Sequence, residues 1–150
     1  MATIEKLETE VKINSPAESF FQAYREKAHL IPKSARDNIH YVAAHEGDLK
    51  SHGSIKEWHY STDGKIEALK GRIEVDEENL TITSVAMEGD VFKHYKSFKT
   101  ILQVIPKDEG GLVKWTWEYE KSDENAPAPN KFITIAGNIT KDIDSHIFPE

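Results

Sequence analysis

Near the end of the chain, hydrophobic residues recur at intervals of three and four, which is the period of an α-helix. This pattern predicts one long helix from Pro129 to Ile147, with polar residues such as Lys131 and Lys141 largely off its apolar face. The apolar face consists of Phe132, Ala136, Ile139, Ile143 and Ile147. At a rise of 1.5 Å per residue, the helix would be roughly 28 Å long. An apolar stripe of that length needs a broad partner surface.

At the start of the chain, apolar and charged residues alternate, which is typical of a strand with one buried face. The inward positions are Leu7, Thr9, Val11 and Ile13. A helix is predicted next, because Ser15 can cap it, Pro16 suits its first turn and Glu18 completes a capping box. A second short helix or turn is predicted over Ala28–Ser34, limited by Pro32.

The middle of the chain consists of strand-like segments separated by turn-forming residues such as Asp63 and Gly64. Six strands are predicted there, over residues 38–44, 54–61, 65–75, 80–87, 91–105 and 112–121. Consecutive strands with short connections pair antiparallel. The sequence therefore predicts an α+β fold with seven antiparallel strands, two short helices after the first strand and a long C-terminal helix.

Length and composition narrow the class of protein. The 150 residues suggest one domain over 1–150. The absence of cysteine excludes disulfides, thiol nucleophiles and thiolate metal sites, and it fits an intracellular protein. A net charge of −7 argues against binding to nucleic acid. With neither the apolar core of a signal peptide nor an apolar run of roughly 18 residues, we expect a cytoplasmic protein without a membrane span.

Aromatic side chains share one face on two of the predicted strands. These faces comprise Val113, Trp115, Trp117 and Tyr119 in the last strand, and Lys56, Trp58 and Tyr60 in the strand before Asp63. On spacing alone, a plain aromatic core is the safer interpretation. The alternative is that the rings line a cavity, since binding sites favour apolar walls with a few polar groups. Ser84 and Thr116 would supply such groups if they point inward.

Other motifs for catalysis or cofactor binding are missing from the sequence. The seven histidines lack the spacing of a metal site, and no Gly-x-Ser-x-Gly elbow is present. The 47–53 loop has two glycines but is not followed by Lys-Ser/Thr and a helix, so it is not a phosphate loop. We therefore predict neither a metal ion nor a cofactor.

Six short motifs, in order and at the right spacing, resemble the plant major latex protein, or ripening-related protein, family. They are Gly53–Trp58, Asp63–Lys65, Glu88–Val91, Tyr95–Lys99, Trp115–Lys121 and Asp142–His146. That family belongs to the birch-pollen-allergen (pathogenesis-related class ten) superfamily, and the resemblance runs essentially end to end. It implies a helix-grip fold, in which a seven-stranded sheet grips the long C-terminal helix and two short helices close one end.

The resemblance also implies an internal cavity for hydrophobic small molecules. By matching positions, the residues facing this cavity would be Tyr24, Ile31, Ile39, Trp58, Tyr60, Ile82, Ser84, Ala136, Ile139 and Ile143. Strand alternation adds Trp115 and Trp117 to this set.

Three functions are compatible with these observations. The favoured one is a monomeric carrier of a steroid, hormone, flavonoid, alkaloid or lipid, related to defence or stress, because it needs only the cavity. The second is an enzyme, since some alkaloid-forming enzymes of opium poppy look similar; Lys56 and Tyr60 would then be the candidate acid and base. For Lys56, a salt bridge or a stem lying along the cavity rim is the structural alternative. The third is a regulatory protein recognised through its surface.

Overall fold

Seven β-strands make up most of the protein, for which the computed structural model describes residues 3–26, 39–48, 51–61 and 64–147. The strands are β1 (Glu5–Ile13), β2 (Ile39–Glu46), β3 (Ile55–Tyr60), β4 (Glu67–Asp76), β5 (Thr81–Gly89), β6 (Tyr95–Pro106) and β7 (Gly111–Lys121). The described residues also form two α-helices, α1 (Ala17–Glu26) and α2 (Lys131–Ile147).

The strands form one antiparallel sheet in the order β1-β7-β6-β5-β4-β3-β2. Apart from β1, each strand lies beside its neighbours in sequence, as short connections favour. β1 pairs along its whole length with β7, so that Glu5 lies opposite Tyr119 and Ile13 opposite Gly111. The predicted α+β fold with seven antiparallel strands and a C-terminal helix is confirmed. The second short helix or turn predicted over Ala28–Ser34 lies outside the described residues.

α2 packs its apolar face against the sheet. Phe132, Ala136, Ile139 and Ile143 are buried and Ile147 is half-buried, as the helical period predicts. The helix begins two residues later than predicted, at Lys131, and it passes through Gly137 without interruption. Buried residues of the sheet, α1 and α2 together form one hydrophobic core.

α1 begins differently from the prediction. Its first helical hydrogen bond runs from the Phe20 amide to the Pro16 carbonyl, so Pro16 precedes the helix and Ser15 does not cap it. The Ser15 hydroxyl donates instead to the carboxylate of Asp144, in α2. The same carboxylate accepts the backbone amides of Asn14 (2.9 Å) and Ser15 (2.8 Å). Asp144 therefore ties α2 to the corner between β1 and α1.

The long strand predicted over residues 91–105 is wrong at its start. Residues Asp90–Lys93 form a short 3-10 helix, and β6 begins at Tyr95. The chain turns at Gly89, where φ is 141° and a Cβ atom would lie 2.4 Å from the Ala68 carbonyl oxygen. The Asp90 carboxylate fixes the turn by accepting the Ala68 amide at 2.7 Å. As a result, β5 and β6 pair only from Thr81–Val85 to Lys99–Gln103.

Candidate functional site

A cavity of about 70 Å³ lies between the inner face of the sheet and α2. Its wall is mostly apolar and aromatic, and the polar side chains that line it are few. The lining residues are Tyr24, Ile39, Trp58, Tyr60, Leu69, Ser84, Thr100, Trp115, Trp117, Phe132, Ile135, Ala136 and Ile139. An apolar wall with a few polar groups is typical of small-molecule sites.

Two larger hollows lie at the surface. One, of about 220 Å³, adjoins the segment that leads into α2, and the other, of about 330 Å³, lies where β5 and β6 separate. The second is bordered by charged side chains of Lys96, Lys99 and Glu118. We therefore take the cavity between sheet and helix as the candidate site.

The two periods of secondary structure explain how the cavity is lined. Successive side chains of a strand point to opposite faces, so Trp58 and Tyr60 of β3, like Trp115 and Trp117 of β7, face inward together. Residues three and four apart share one helix face, which brings Ala136 and Ile139 of α2 to the opposite wall. Thr116 lies on the outer face of β7 by the same alternation and does not line the cavity.

Nine of the residues predicted to bind a ligand lie in this wall, and Ile82 and Ile143 do not. Ile31 lies outside the described residues. Ile82 is 3% exposed and sits opposite Leu102 of β6, so it packs in the core beside the cavity. Ile143 is buried one helical turn beyond Ile139, next to Asp144, which holds α2 against the β1–α1 corner.

Four wall residues were not among the predicted ones: Leu69, Thr100, Phe132 and Ile135. Phe132 belongs to the apolar face of the predicted helix, so the helical period could have identified it. Leu69 lies opposite Trp58, and Thr100 lies between Ser84 and Trp117 in the paired strands. Only the strand register reveals these neighbours.

Packed aromatic rings connect α1, β3 and β7. Tyr24 stacks on Trp58 with ring centroids 6.2 Å apart, and it meets Trp115 edge to face at 5.7 Å. The Trp115 indole donates to the Thr140 hydroxyl at 2.9 Å, and that hydroxyl donates to the Ala136 carbonyl at 2.7 Å. The polar edge of Trp115 is therefore used within the protein, which leaves an apolar ring face for the cavity.

Two buried polar atoms on the inner face of β3 have no hydrogen-bond partner among the described residues: Lys56 Nζ and the Tyr60 hydroxyl. Lys56 is 1% exposed, and its Nζ lies 5.5 Å from the centre of the Tyr24 ring. Burial, reinforced by the positive charge of Arg25, lowers the pKa of Lys56 to about 8. Burial also raises the pKa of Tyr60, as do the nearby carboxylates of Glu67 and Asp90.

Neither form of the structural alternative considered for Lys56 is found in the described residues. Within the described part of the chain it forms no salt bridge, and its stem does not reach the surface. Such a buried, unpaired polar group is uncommon in proteins and calls for an explanation.

The described residues contain no cluster of three or more metal-ligating side chains. In the same ranges, no helix is long and apolar enough to cross a membrane.

Known proteins share this architecture and are similar in sequence. A model of the Pathogenesis-related protein Bet v 1 family matches residues 2–150. The chain belongs to this family. It is 41% identical to MLP-like protein 43 of Arabidopsis thaliana, covering 97% of this chain and 94% of the relative. It is 42% identical to MLP-like protein 34 of the same plant, of which it spans only 48%. The resemblance to major latex proteins is therefore confirmed.

Solved structures agree with the fold. Ginseng major latex-like protein 151 from Panax ginseng superposes with a TM-score of 0.91 at 31% identity, over 97% of this chain and 99% of that one. Norcoclaurine synthase from Thalictrum flavum superposes with a TM-score of 0.81 at 15% identity, over 99% of this chain and 89% of the enzyme. The second similarity shows a shared helix-grip fold and nothing about activity. Family membership supports a protein that binds hydrophobic ligands.

Proposed function

We propose that this protein is a carrier that holds a hydrophobic small molecule in the cavity between the sheet and α2. The observation that carries the proposal is the cavity wall, which combines aromatic and aliphatic side chains with few polar groups. The proposal includes a cytoplasmic, monomeric protein of one domain that acts in defence or stress responses and needs no cofactor. Steroids, hormones, flavonoids, alkaloids and lipids are the ligand classes to be tested.

The cavity volume limits the size of the ligand. At about 70 Å³ it is far smaller than the roughly 300 Å³ at which most ligand pockets begin. Because a cavity of about 150 Å³ holds one benzene molecule, even a compound built on one aromatic ring requires a small outward movement of the wall. A steroid or flavonoid would bind only if rings such as Trp58, which is half-buried, turned away from the cavity.

Filling the cavity tests the proposal. Ala136 is 2% exposed and faces the cavity from α2, so Ala136→Leu places three further carbon atoms in the ligand space. The probe is cinnamyl alcohol, a neutral compound with one aromatic ring, measured by isothermal titration calorimetry. We expect one molecule to bind per wild-type chain, and Ala136→Leu to weaken binding at least tenfold.

Thr134→Leu is the matched control, because Thr134 lies on the exposed face of the same helix and the change introduces the same leucine side chain there. It should leave the affinity within about twofold. Equal affinities for Ala136→Leu and the wild type, or no binding to the wild type, would contradict the carrier proposal for this cavity.

A second candidate function is an enzyme that uses the same cavity, and the lowered pKa of Lys56 favours it. Lys56 and Tyr60 are four residues apart on one strand, which separates their Cα atoms by roughly 13 Å. They would therefore act at different ends of a bound molecule rather than on one reacting atom. Recovery of unchanged cinnamyl alcohol would not decide between carrier and enzyme. The test is whether the protein converts a compound that is recovered with it from the source tissue. Lys56→Met should abolish this conversion.

A further inference from the structure

The inner face of β3 carries a charge that its protein surroundings do not neutralise. Lys56 is 1% exposed, and its ammonium group has no hydrogen-bond partner and no acidic partner among the described residues. Burying an unpaired charge is costly, so proteins usually pair such a group or release its proton. With a pKa of about 8, Lys56 keeps its proton at neutral pH.

The position of Lys56 connects it to the cavity. It points to the same side of β3 as Trp58 and Tyr60, both of which line the cavity. Its Nζ lies over the ring of Tyr24, another wall residue, at 5.5 Å. The charge therefore lies beside the aromatic wall, on the side of α1.

A glycine lies opposite Lys56 and lets a polar residue of the cavity wall approach the backbone. Gly71 of β4 lies directly opposite Lys56, and a Cβ atom at position 71 would lie 2.2 Å from the hydroxyl oxygen of Ser84. Ser84 lines the cavity. The Ser84 hydroxyl therefore occupies the space that a side chain at position 71 would take, and it brings a polar group of the cavity wall close to the backbone opposite Lys56.

The electrostatic environment of this end of the cavity favours an anion. Arg25 of α1 is close enough to lower the pKa of Lys56 by repulsion, although it is itself paired with Glu77. A neutral ligand would leave the charge of Lys56 uncompensated. A carboxylate would form a charge-assisted hydrogen bond and remove the imbalance.

We propose that the ligand of this cavity is an apolar acid, whose carboxylate pairs with the ammonium group of Lys56 while its hydrocarbon part contacts Tyr24, Trp58 and the wall beyond. This inference rests on the carrier function proposed above. It assigns a binding role to Lys56 and restricts the ligand to compounds that combine an aromatic or aliphatic body with one acidic group.

The test compares two probes with the same carbon skeleton, cinnamate and cinnamyl alcohol, by isothermal titration calorimetry at pH 6.5. The wild type should bind cinnamate at least tenfold more tightly than the alcohol. Lys56→Met retains a side chain of similar length without the charge, so it should abolish this preference and leave the affinity for the alcohol within about threefold. Lys107→Met is the control: Lys107 is exposed, the change alters the net charge equally, and the preference should persist.

A measurement on the wild type alone tests the proposal even if the Lys56→Met variant does not fold. Between pH 6.5 and 9.5, the affinity for cinnamate should fall at least fivefold as free Lys56 loses its proton, while that for the alcohol should not change. Tyr24, whose ring lies beside the Lys56 ammonium group, stays protonated over this range because burial raises its pKa.

The outcomes separate the two proposals. If the wild type binds both probes equally, or if Lys56→Met keeps the preference for cinnamate, the acid inference is wrong and the carrier proposal stands. If the wild type binds neither probe, the carrier proposal is wrong, and the acid inference fails with it.

Discussion

At the scale of single residues, the buried charge of Lys56 destabilises the ligand-free protein, although it favours the binding of an anion. Its pKa falls from an ordinary 10.5 to about 8 in the folded protein. At 1.36 kcal/mol per pH unit, the buried charge lowers the free energy of unfolding by roughly 3 kcal/mol below pH 8. A ligand carboxylate that pairs with Lys56 would offset part of this free energy. The ligand-free protein should therefore bind an acid in preference to a neutral analogue.

Replacing Lys56 by methionine should therefore stabilise the ligand-free protein. A lysine with a lowered folded pKa binds fewer protons in the folded than in the unfolded state between pH 8 and 10.5, so wild-type stability rises with pH there. We expect Lys56→Met to exceed the wild type by roughly 3 kcal/mol at pH 7, and by progressively less toward pH 10.5. Urea unfolding of both proteins at a series of pH values measures the difference.

Comparing the two proteins removes effects that they share. The raised pKa values of Tyr24 and Tyr60 reduce stability above pH 10 in both alike. A Lys56→Met protein that is less stable than the wild type at pH 7, or a difference that does not change with pH, would show that Lys56 is compensated by a partner.

At the scale of elements, α2 contains a residue of low helix propensity at a position where a side chain would meet no neighbour. Gly137 lies inside the helix, and a Cβ atom there would have no neighbour within 4 Å. Because alanine restricts the unfolded chain and favours the helix, Gly137→Ala should raise the free energy of unfolding by about 0.5–1 kcal/mol. Ligand affinity should not change. Urea unfolding measures the first quantity, and a loss of stability would mean that the helix must bend at this position.

Asp144 fixes the place where α2 meets the β1–α1 corner. Its carboxylate accepts the amides of Asn14 and Ser15 as well as the Ser15 hydroxyl, and it is 9% exposed. Asp144→Ala would leave these donors buried without a partner, at a cost of about 2–4 kcal/mol. Lys141→Ala removes a charged side chain from the exposed face of the same helix and should cost less than about 1 kcal/mol. Equal losses in urea unfolding would show that the hydrogen bonds of Asp144 do not stabilise this junction.

At the scale of the whole molecule, local periods were predictable from sequence and long-range pairing was not. The inward faces of Trp58 with Tyr60, and of Trp115 with Trp117, follow from strand alternation, which requires no knowledge of neighbours. Thr100 joins the cavity wall because the register places it between Ser84 and Trp117. The bond between Ser15 and Asp144 spans 129 positions of the chain, and local capping rules could not anticipate it.

Because sheet, α1 and α2 share one hydrophobic core, ligand binding in the cavity should stabilise the whole protein. Cinnamyl alcohol at 100 times its Kd should raise the free energy of unfolding by about 2.7 kcal/mol. For a chain of this size, that corresponds to a rise in Tm of about 5–10 °C. Tryptophan fluorescence, which reports on β3 and β7, and far-UV circular dichroism, which reports mainly on the helices, should show the same increase.

Ala136→Leu should abolish the ligand-induced rise in Tm because the leucine occupies the ligand space, whereas Thr134→Leu should retain it in full. A rise that persists in Ala136→Leu would place the bound molecule elsewhere, for instance in the hollow where β5 and β6 separate. A rise seen by only one of the two spectroscopic signals would show that the sheet and the helices unfold separately. In that case, binding at the wall between them would stabilise one part of the molecule without the other, and the common core would not act as a single cooperative unit.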